Sequence, residues 1–309
     1  MTNLKYDLII VGGGPIGSVV AYFSSLNKQK LEIDKIALIQ MEPLSYAGVA
    51  YPYAGGSIRW YFYDEEIKEN TKKTADFVLS LKERGVNLNL LEDNYFFVHR
   101  GLFVPSLNIS GAKLVSFFKK EAESNGVKIY SETEFEKLDK VGKLYKIVTN
   151  KGEFLTNKVV FAMGFKNKEH FHLDIDVEKR QLFVLDLEVT PERLTLPHTV
   201  FKFKEGVVYY FLKKFDDGYK IILGQEDVYE HNLDPIAEDY FNHLLEIGLI
   251  DILPFLRETR VEKILWGFDV KNKKPLIYEY DNNVFIINCG SAIRSIIGIA
   301  EKVLEKLSS

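Results

Sequence analysis

The stretch KYDLIIVGGGPIGSVVA, Lys5–Ala21, decides the fold. Tyr6 to Val11 is an apolar run too short for a helix and closed by three glycines, which predicts a buried strand. Gly12, Gly14 and Gly17 keep the G-x-G-x-x-G spacing, and from Ser18 the apolar residues recur with a helical period. A strand, a glycine turn and a helix in that order suit a dinucleotide. Gly12 permits the tight turn, Gly14 lets a pyrophosphate reach the backbone, and Gly17 lets the helix lie close on its strand. The helix N-terminus adds free N–H groups and the positive end of the helix dipole. Gly12, Gly14, Pro15, Ile16 and Gly17 therefore form the first expected cofactor contact.

Composition narrows the partners. The 309 residues are 46% apolar and 27% charged, with a formal net charge of −4, and suffice for a nucleotide domain plus a smaller one. The positive balance that attracts nucleic acid or an anionic membrane is absent. No apolar run reaches the roughly 18 residues of a membrane span, and the first strand begins too early to follow a signal peptide. One cysteine, Cys289, excludes an internal disulfide and cannot build a structural zinc site alone. The six histidines lack a spacing such as H-x-x-x-H, so no metal is expected. A cytoplasmic protein acting on a small molecule is the expectation, with a partner subunit or a homo-oligomer left open.

Further along, Lys35 to Gln40 (KIALIQ) supplies a second parallel strand. An acidic residue commonly closes this strand and accepts from the adenosine ribose. Gln40 stands there, with Glu42 two residues later; either can accept, and Glu42 is slightly preferred. A helix is expected over 64–84 and a hairpin over Tyr95 to Val104, in which His99 is an ordinary strand residue. A helix capped by Ser110 follows. Between residues 172 and 262 alternating β-branched and aromatic segments, with Asp217–Gly218 at a hairpin turn, suggest a separate antiparallel sheet. Tyr209 and Tyr210 fall on opposite faces of one strand, so only one of them can line a pocket. Helical stretches are expected over 234–248 and 249–259, and a last strand and helix over 283–307.

A resemblance joins these pieces. The small-residue loop AGGSIRW (54–60), the segment LNISGAKLVSFFKKEAESNGVKIYSETEFEKLD (107–139), KVVFAMG (158–164), VYYFLKKFDDGYKIILGQED (208–227) and GSAIR (290–294) resemble the D-amino-acid oxidase superfamily, of the glycine oxidase and monomeric sarcosine oxidase type. The resemblance implies a non-covalent FAD. Gly55, Gly56, Ser57 and Ile58 would lie along the flavin, the Phe135 backbone against adenine, Ala162 and Gly164 close to the cofactor, and Gly290, Ser291, Ile293 and Arg294 at the flavin's pyrimidine end. It makes Arg59 and Arg294 the candidate catalytic-site ligands for a substrate carboxylate, which a guanidinium can hold through two hydrogen bonds. Tyr209, Tyr210 and Trp266 would border the substrate. The departure is at Asp269, where relatives carry an arginine after a Trp-x-Gly run. Facing the pocket, Asp269 could hold an amine or hydroxyl; facing solvent, it has no chemical part. Cys289, at a strand end, is read as a buried, inert thiol.

The expected fold is α/β, with a Rossmann-like, two-dinucleotide-binding FAD domain on a parallel sheet and an inserted, mainly antiparallel substrate domain. The division is 1–85, 101–170 and 264–309 for FAD, and 86–100 with 171–263 for substrate. The resemblance implies an FAD-dependent oxidase or dehydrogenase that oxidises the C–N bond of a small amine or amino acid. Oxidation of a 2-hydroxy acid on the same scaffold, and a non-catalytic or electron-transfer FAD subunit of a larger complex, are the alternatives. Release of ammonia or amine separates the first from the second.

Overall fold

The computed structural model describes residues 4–41, 48–49, 56–59, 64–188, 198–203, 206–226, 248–257, 259–271 and 274–308. In chain order the first half contains β1 (Leu4–Val11), α1 (Pro15–Leu26), β2 (Ile36–Ile39), β3 (Gly48–Val49), β4 (Ser57–Arg59) and α2 (Glu65–Glu83). Next come β5 (Leu91–Phe97), β6 (Leu102–Asn108), α3 (Gly111–Ser124), β7 (Lys128–Tyr130), β8 (Phe135–Val141), β9 (Leu144–Thr149) and β10 (Gly152–Phe161). The second half contains β11 (Val177–Glu188), β12 (His198–Phe203), β13 (Gly206–Phe215), β14 (Gly218–Glu226), β15 (Val261–Val270), β16 (Leu276–Asp281), β17 (Val284–Asn288) and α4 (Ile296–Ser308).

Two sheets organise these elements. In the first the order is β16-β17-β10-β1-β2-β7, parallel from β17 to β7, with the β8–β9 hairpin attached to β10. A parallel strand covered on both faces must be apolar throughout, and β1 meets that condition by alternation. Leu8 and Ile10 pack toward α1, α3 and α4, while Ile9 and Val11 pack toward Phe135, Tyr145 and Ile147 of the hairpin. The helices start where the sequence provides caps. Asp64 accepts from the Glu66 and Ile67 amides to open α2, and Ser110 accepts from the Lys113 amide to open α3.

The second sheet runs β3-β15-β11-β14-β13-β12-β5-β6-β4. One face is closed by Leu249, Leu253 and Leu256, from a short helical turn and a 3-10 turn where a longer helix was expected over 249–259. The helix expected over 234–248 falls almost wholly outside the described residues. The opposite face carries Tyr95, Val200, Phe211, Ile222 and Leu265.

Strand pairing crosses the boundaries of the expected division. β4, β6 and the 264–270 part of β15, all assigned to the FAD side, hydrogen-bond into the second sheet: Ser57 pairs with Asn108, Tyr95 with Val104, and Leu182 with Leu265. Local alternation marks a segment as a strand but does not name its partner, which can lie far away in the chain, as Gly48 does from Gly267. Among the described residues no helix is long and apolar enough to cross a membrane.

Candidate active site

The ends of β1, β2 and β10 converge on the glycine turn. The Gly12 amide donates to the Ile39 carbonyl at 2.8 Å, and the Ala162 amide donates to the Val11 carbonyl at 2.7 Å. Gly12 has φ +110°, and a Cβ there would lie 2.4 Å from the Ala162 carbonyl oxygen. At Gly17 a Cβ would lie 1.7 Å from the Gly12 carbonyl oxygen, so the close helix–strand approach required by the motif is present. Gly14 is the N-cap of α1, Pro15 occupies its first turn and Ile16 is buried. No side chain caps this end, and its first turn carries no acid. An uncapped end of this kind leaves its amides for an anion such as a phosphate.

Gln40 is buried at the end of β2, donates to Ser131 Oγ at 3.0 Å, and sets its Oε1 2.1 Å from where a Cβ on Gly13 would be. The Thr133 amide donates to the Gln40 carbonyl, which brings the chain leading into Phe135 alongside the same strand end. The Phe135 ring itself is turned into an aromatic cluster with Phe161 and Phe171. Gly164, at φ +62°, lies just past β10. The glycine cradle, the uncapped helix end and the Gln40 acceptor fit a dinucleotide such as FAD. Glu42 and Gly55 lie outside the described residues.

β4 lies against the 292–295 turn. Gly56 is held against Ile109, whose amide donates to the Gly56 carbonyl at 3.1 Å; Ser57 is partly buried and Ile58 fully so. Arg59 projects among rings. Its guanidinium carbon lies 4.7 Å from the centroid of Tyr95, 5.2 Å from Tyr209 and 5.8 Å from Phe97. Nε and Nη1 are buried with no hydrogen-bond partner among the described residues. Such stacking holds a guanidinium without consuming its in-plane donors. The strand alternation separates the two tyrosines: Tyr209 faces Arg59, whereas Tyr210 packs in the opposite core near Phe255.

Sequence reasoning missed several polar groups on the Arg59 face. Burial pushes the Tyr95 phenol up to about 12, against the pull of the Arg59 charge and the neighbouring Ser57 hydroxyl. His198 is fully buried opposite Tyr95, and desolvation holds it down at about 4 although the Asp93 charge opposes this. Lys213, two residues beyond Phe211 on β13, is buried, which lowers its ammonium to about 8. Their strand positions were legible, but which face would be enclosed was not. His99, by contrast, sits exposed in the 3-10 turn of the hairpin.

At the C-terminal end, β17 leads through Cys289 and Gly290 to Ser291, which holds a left-handed conformation at φ +53°. Asp269 neither faces solvent idly nor stands apart: its carboxylate accepts from the Ser291 amide, with Oδ2 at 3.1 Å. Ile293 and Arg294 are buried in the following turn, 292–295, and β4 packs directly on that turn. Arg59 and Arg294 therefore come from adjoining elements. The side chain of Trp266 lies outside the described residues, while its backbone pairs with Gln181. Cys289 is buried, and desolvation raises its thiol to about 12, an inert group.

Comparison with known proteins identifies the fold and the family. No curated protein sequence matches the chain. Among solved structures, L-proline dehydrogenase from P. horikoshii superposes with a TM-score of 0.80 at 17% identity, over 98% of this chain and 93% of that one. Glycine oxidase from Geobacillus kaustophilus gives 0.75 at 15% identity, over 99% and 95%. Iminodiacetate oxidase from Chelativorans sp. BNC1 gives 0.73 at 14% identity, over 95% and 93%. These likenesses establish a shared fold. The sequence profile of the FAD dependent oxidoreductase family matches residues 48–305. With most of its length matched and a dinucleotide cradle at its start, the chain belongs to the FAD dependent oxidoreductase family and is an enzyme that uses FAD.

Proposed function

We propose that the protein oxidises the C–N bond of a small amino acid or N-substituted amino acid, with Arg59 receiving the substrate carboxylate. The observation that carries this reading is the Arg59 guanidinium, enclosed by three rings with Nε and Nη1 buried and unpartnered among the described residues. A buried donor pair is costly unless an acceptor arrives, and a carboxylate matches the fork of a guanidinium. The structures it resembles are named for L-proline, glycine and iminodiacetate, and each of these molecules has nitrogen on the carbon next to a carboxylate.

In this scheme Gly12, Gly14, Gly17 and Gln40 hold the dinucleotide, and Ser57 and Ile58 line its ring. FAD supplies the hydride acceptor for the carbon that bears nitrogen, and the resulting imine hydrolyses in water. Arg59 fixes the carboxylate, Tyr209 and Phe97 exclude water from the ion pair, and Arg294 adds positive charge in the adjoining turn. Orientation and electrostatics are the protein's contribution.

The test is an anaerobic titration of the FAD-loaded enzyme with amino acids, N-methyl amino acids and 2-hydroxy acids, following bleaching of the oxidised flavin and release of ammonia or amine. Bleaching by an amino acid with ammonia or amine release supports the reading; bleaching by hydroxy acids alone refutes it. Arg59→Met should raise substrate Kd by roughly 10- to 150-fold with FAD retained, from the loss of about 1.5–3 kcal/mol of charge-assisted hydrogen bonding.

A further inference from the structure

Behind Arg59 a chain of polar groups runs through the second sheet to the surface. The Tyr95 hydroxyl donates to Asn108 Oδ1 at 3.4 Å, Asn108 Nδ2 lies 3.0 Å from His198 Nδ1, and His198 Nε2 lies 3.1 Å from Asp93 Oδ2. Tyr95, Asn108 and His198 are each no more than 1% exposed, and the chain ends at an Asp93 side chain that is 31% exposed. The backbone dictates the grouping. Asp93, Tyr95 and Phe97 alternate along β5, His198 stands across from Tyr95 on β12, and Asn108 pairs with Ser57 of β4.

This chain has one self-consistent polarity. An amide N–H can donate to Nδ1 only when that nitrogen carries no proton, so a neutral His198 carries its proton on Nε2, where the Asp93 carboxylate lies at ion-pair distance without an aligned hydrogen bond. Asn108 is then left to accept from the Tyr95 phenol. Burial supports the same neutral form of His198. The charges facing the imidazole are Asp93 on β5 and, across the Tyr95 ring, Arg59 on β4. Apolar residues at these places would avoid the desolvation of three polar side chains. A connected polar chain beside the guanidinium instead restricts the ring to one setting.

We propose that Asp93, His198 and Asn108 are positioning residues: they fix the Tyr95 ring, and the ring fixes the Arg59 guanidinium for its carboxylate. The inference rests on the reading of Arg59 given above. Its test uses the FAD-loaded enzyme and benzoate, a carboxylate on a ring that suits a guanidinium among aromatics, with binding read from the flavin absorption. Tyr95→Phe and His198→Leu should each raise benzoate Kd by roughly 2- to 12-fold, the loss of one hydrogen bond. The double variant should be no weaker than the worse single variant, since both break the same chain. His198→Asn keeps an acceptor for Asn108 and should return Kd to within about twofold of wild type.

Multiplying losses in the double variant, or a His198→Asn enzyme as weak as His198→Leu, would overturn the proposal. If His198→Leu does not retain FAD, Asn108→Leu takes its place in the cycle with Tyr95→Phe, with the same outcomes. Arg59→Met separates the two readings. An unchanged Kd in that variant, or a wild-type flavin spectrum untouched by saturating benzoate, removes the carboxylate receptor and the chain's purpose together. A raised Kd alongside multiplying losses in the cycle removes the positioning chain alone.

Discussion

At the scale of single residues, His198 ties the site to stability. Its ordinary value is about 6.5 in the unfolded chain, and burial holds it at about 4 in the folded one. Above pH 6.5 the ring is neutral in both states, so its contribution is constant. As the pH falls from 6.5 toward 4 the unfolded chain takes up a proton that the native protein refuses, and stability drops by on the order of 3 kcal/mol across that window. Below it both states are protonated and the loss levels off. Urea midpoints for wild type and His198→Asn between pH 7 and pH 4.5 test this. The variant should lose markedly less, and parallel losses would show that other groups govern the acid limb. None of this was legible from the sequence, because six scattered histidines look alike until the strands pair. The choice between Tyr209 and Tyr210 is similar: alternation says that the two diverge, and only the register shows that Tyr209 meets Arg59.

At the scale of elements, the first strand, turn and helix were almost fully readable, since their requirements are local. The expected strand and helix differ from β1 and α1 by a few terminal residues. Gly17 tests how tightly this unit is built. Gly17→Ala would place a methyl 1.7 Å from the Gly12 carbonyl oxygen, a backbone atom that cannot swing aside. The helix must then lift from its strand, and the expected result is a protein that folds with a lowered Tm and loses FAD on gel filtration. Retention of stoichiometric FAD by this variant would mean that the turn is looser than drawn. Strand β4 was less legible. Three residues carry no periodicity, and its place depends on Ile109 and Asn108, about fifty residues onward.

Across the whole molecule, the sequence indicated two sheets, and the strand pairing shows where the seam between them runs. Pairing partners such as β4 with β6 and β11 with β15 bring the substrate-side sheet into the middle of segments assigned to the nucleotide side. Asp269 fastens that seam. It lies on β15 of the second sheet, yet holds the amide of Ser291 in the turn that follows the first sheet. The reading of Asp269 as either a pocket acid or a solvent acid left out a third use, support of a backbone bend, which no local pattern announces.

The strand order of the first sheet also has a consequence for synthesis. β1 is flanked by β2 and β10, and β10 is closed on its far side by β17, while α4 packs on α1. A nascent chain therefore carries its glycine turn through about 140 further residues before β10 arrives, and lacks the outer wall until β17 and α4 have been made. Parallel pairings of such separation form late. Chains stalled or truncated before residue 284 should be held by chaperones and fail to retain FAD, whereas the full chain acquires it on release; FAD fluorescence of ribosome-bound and released chains would tell these apart. Capture of FAD by the stalled chain would mean that the first half closes around its cofactor without waiting for the end.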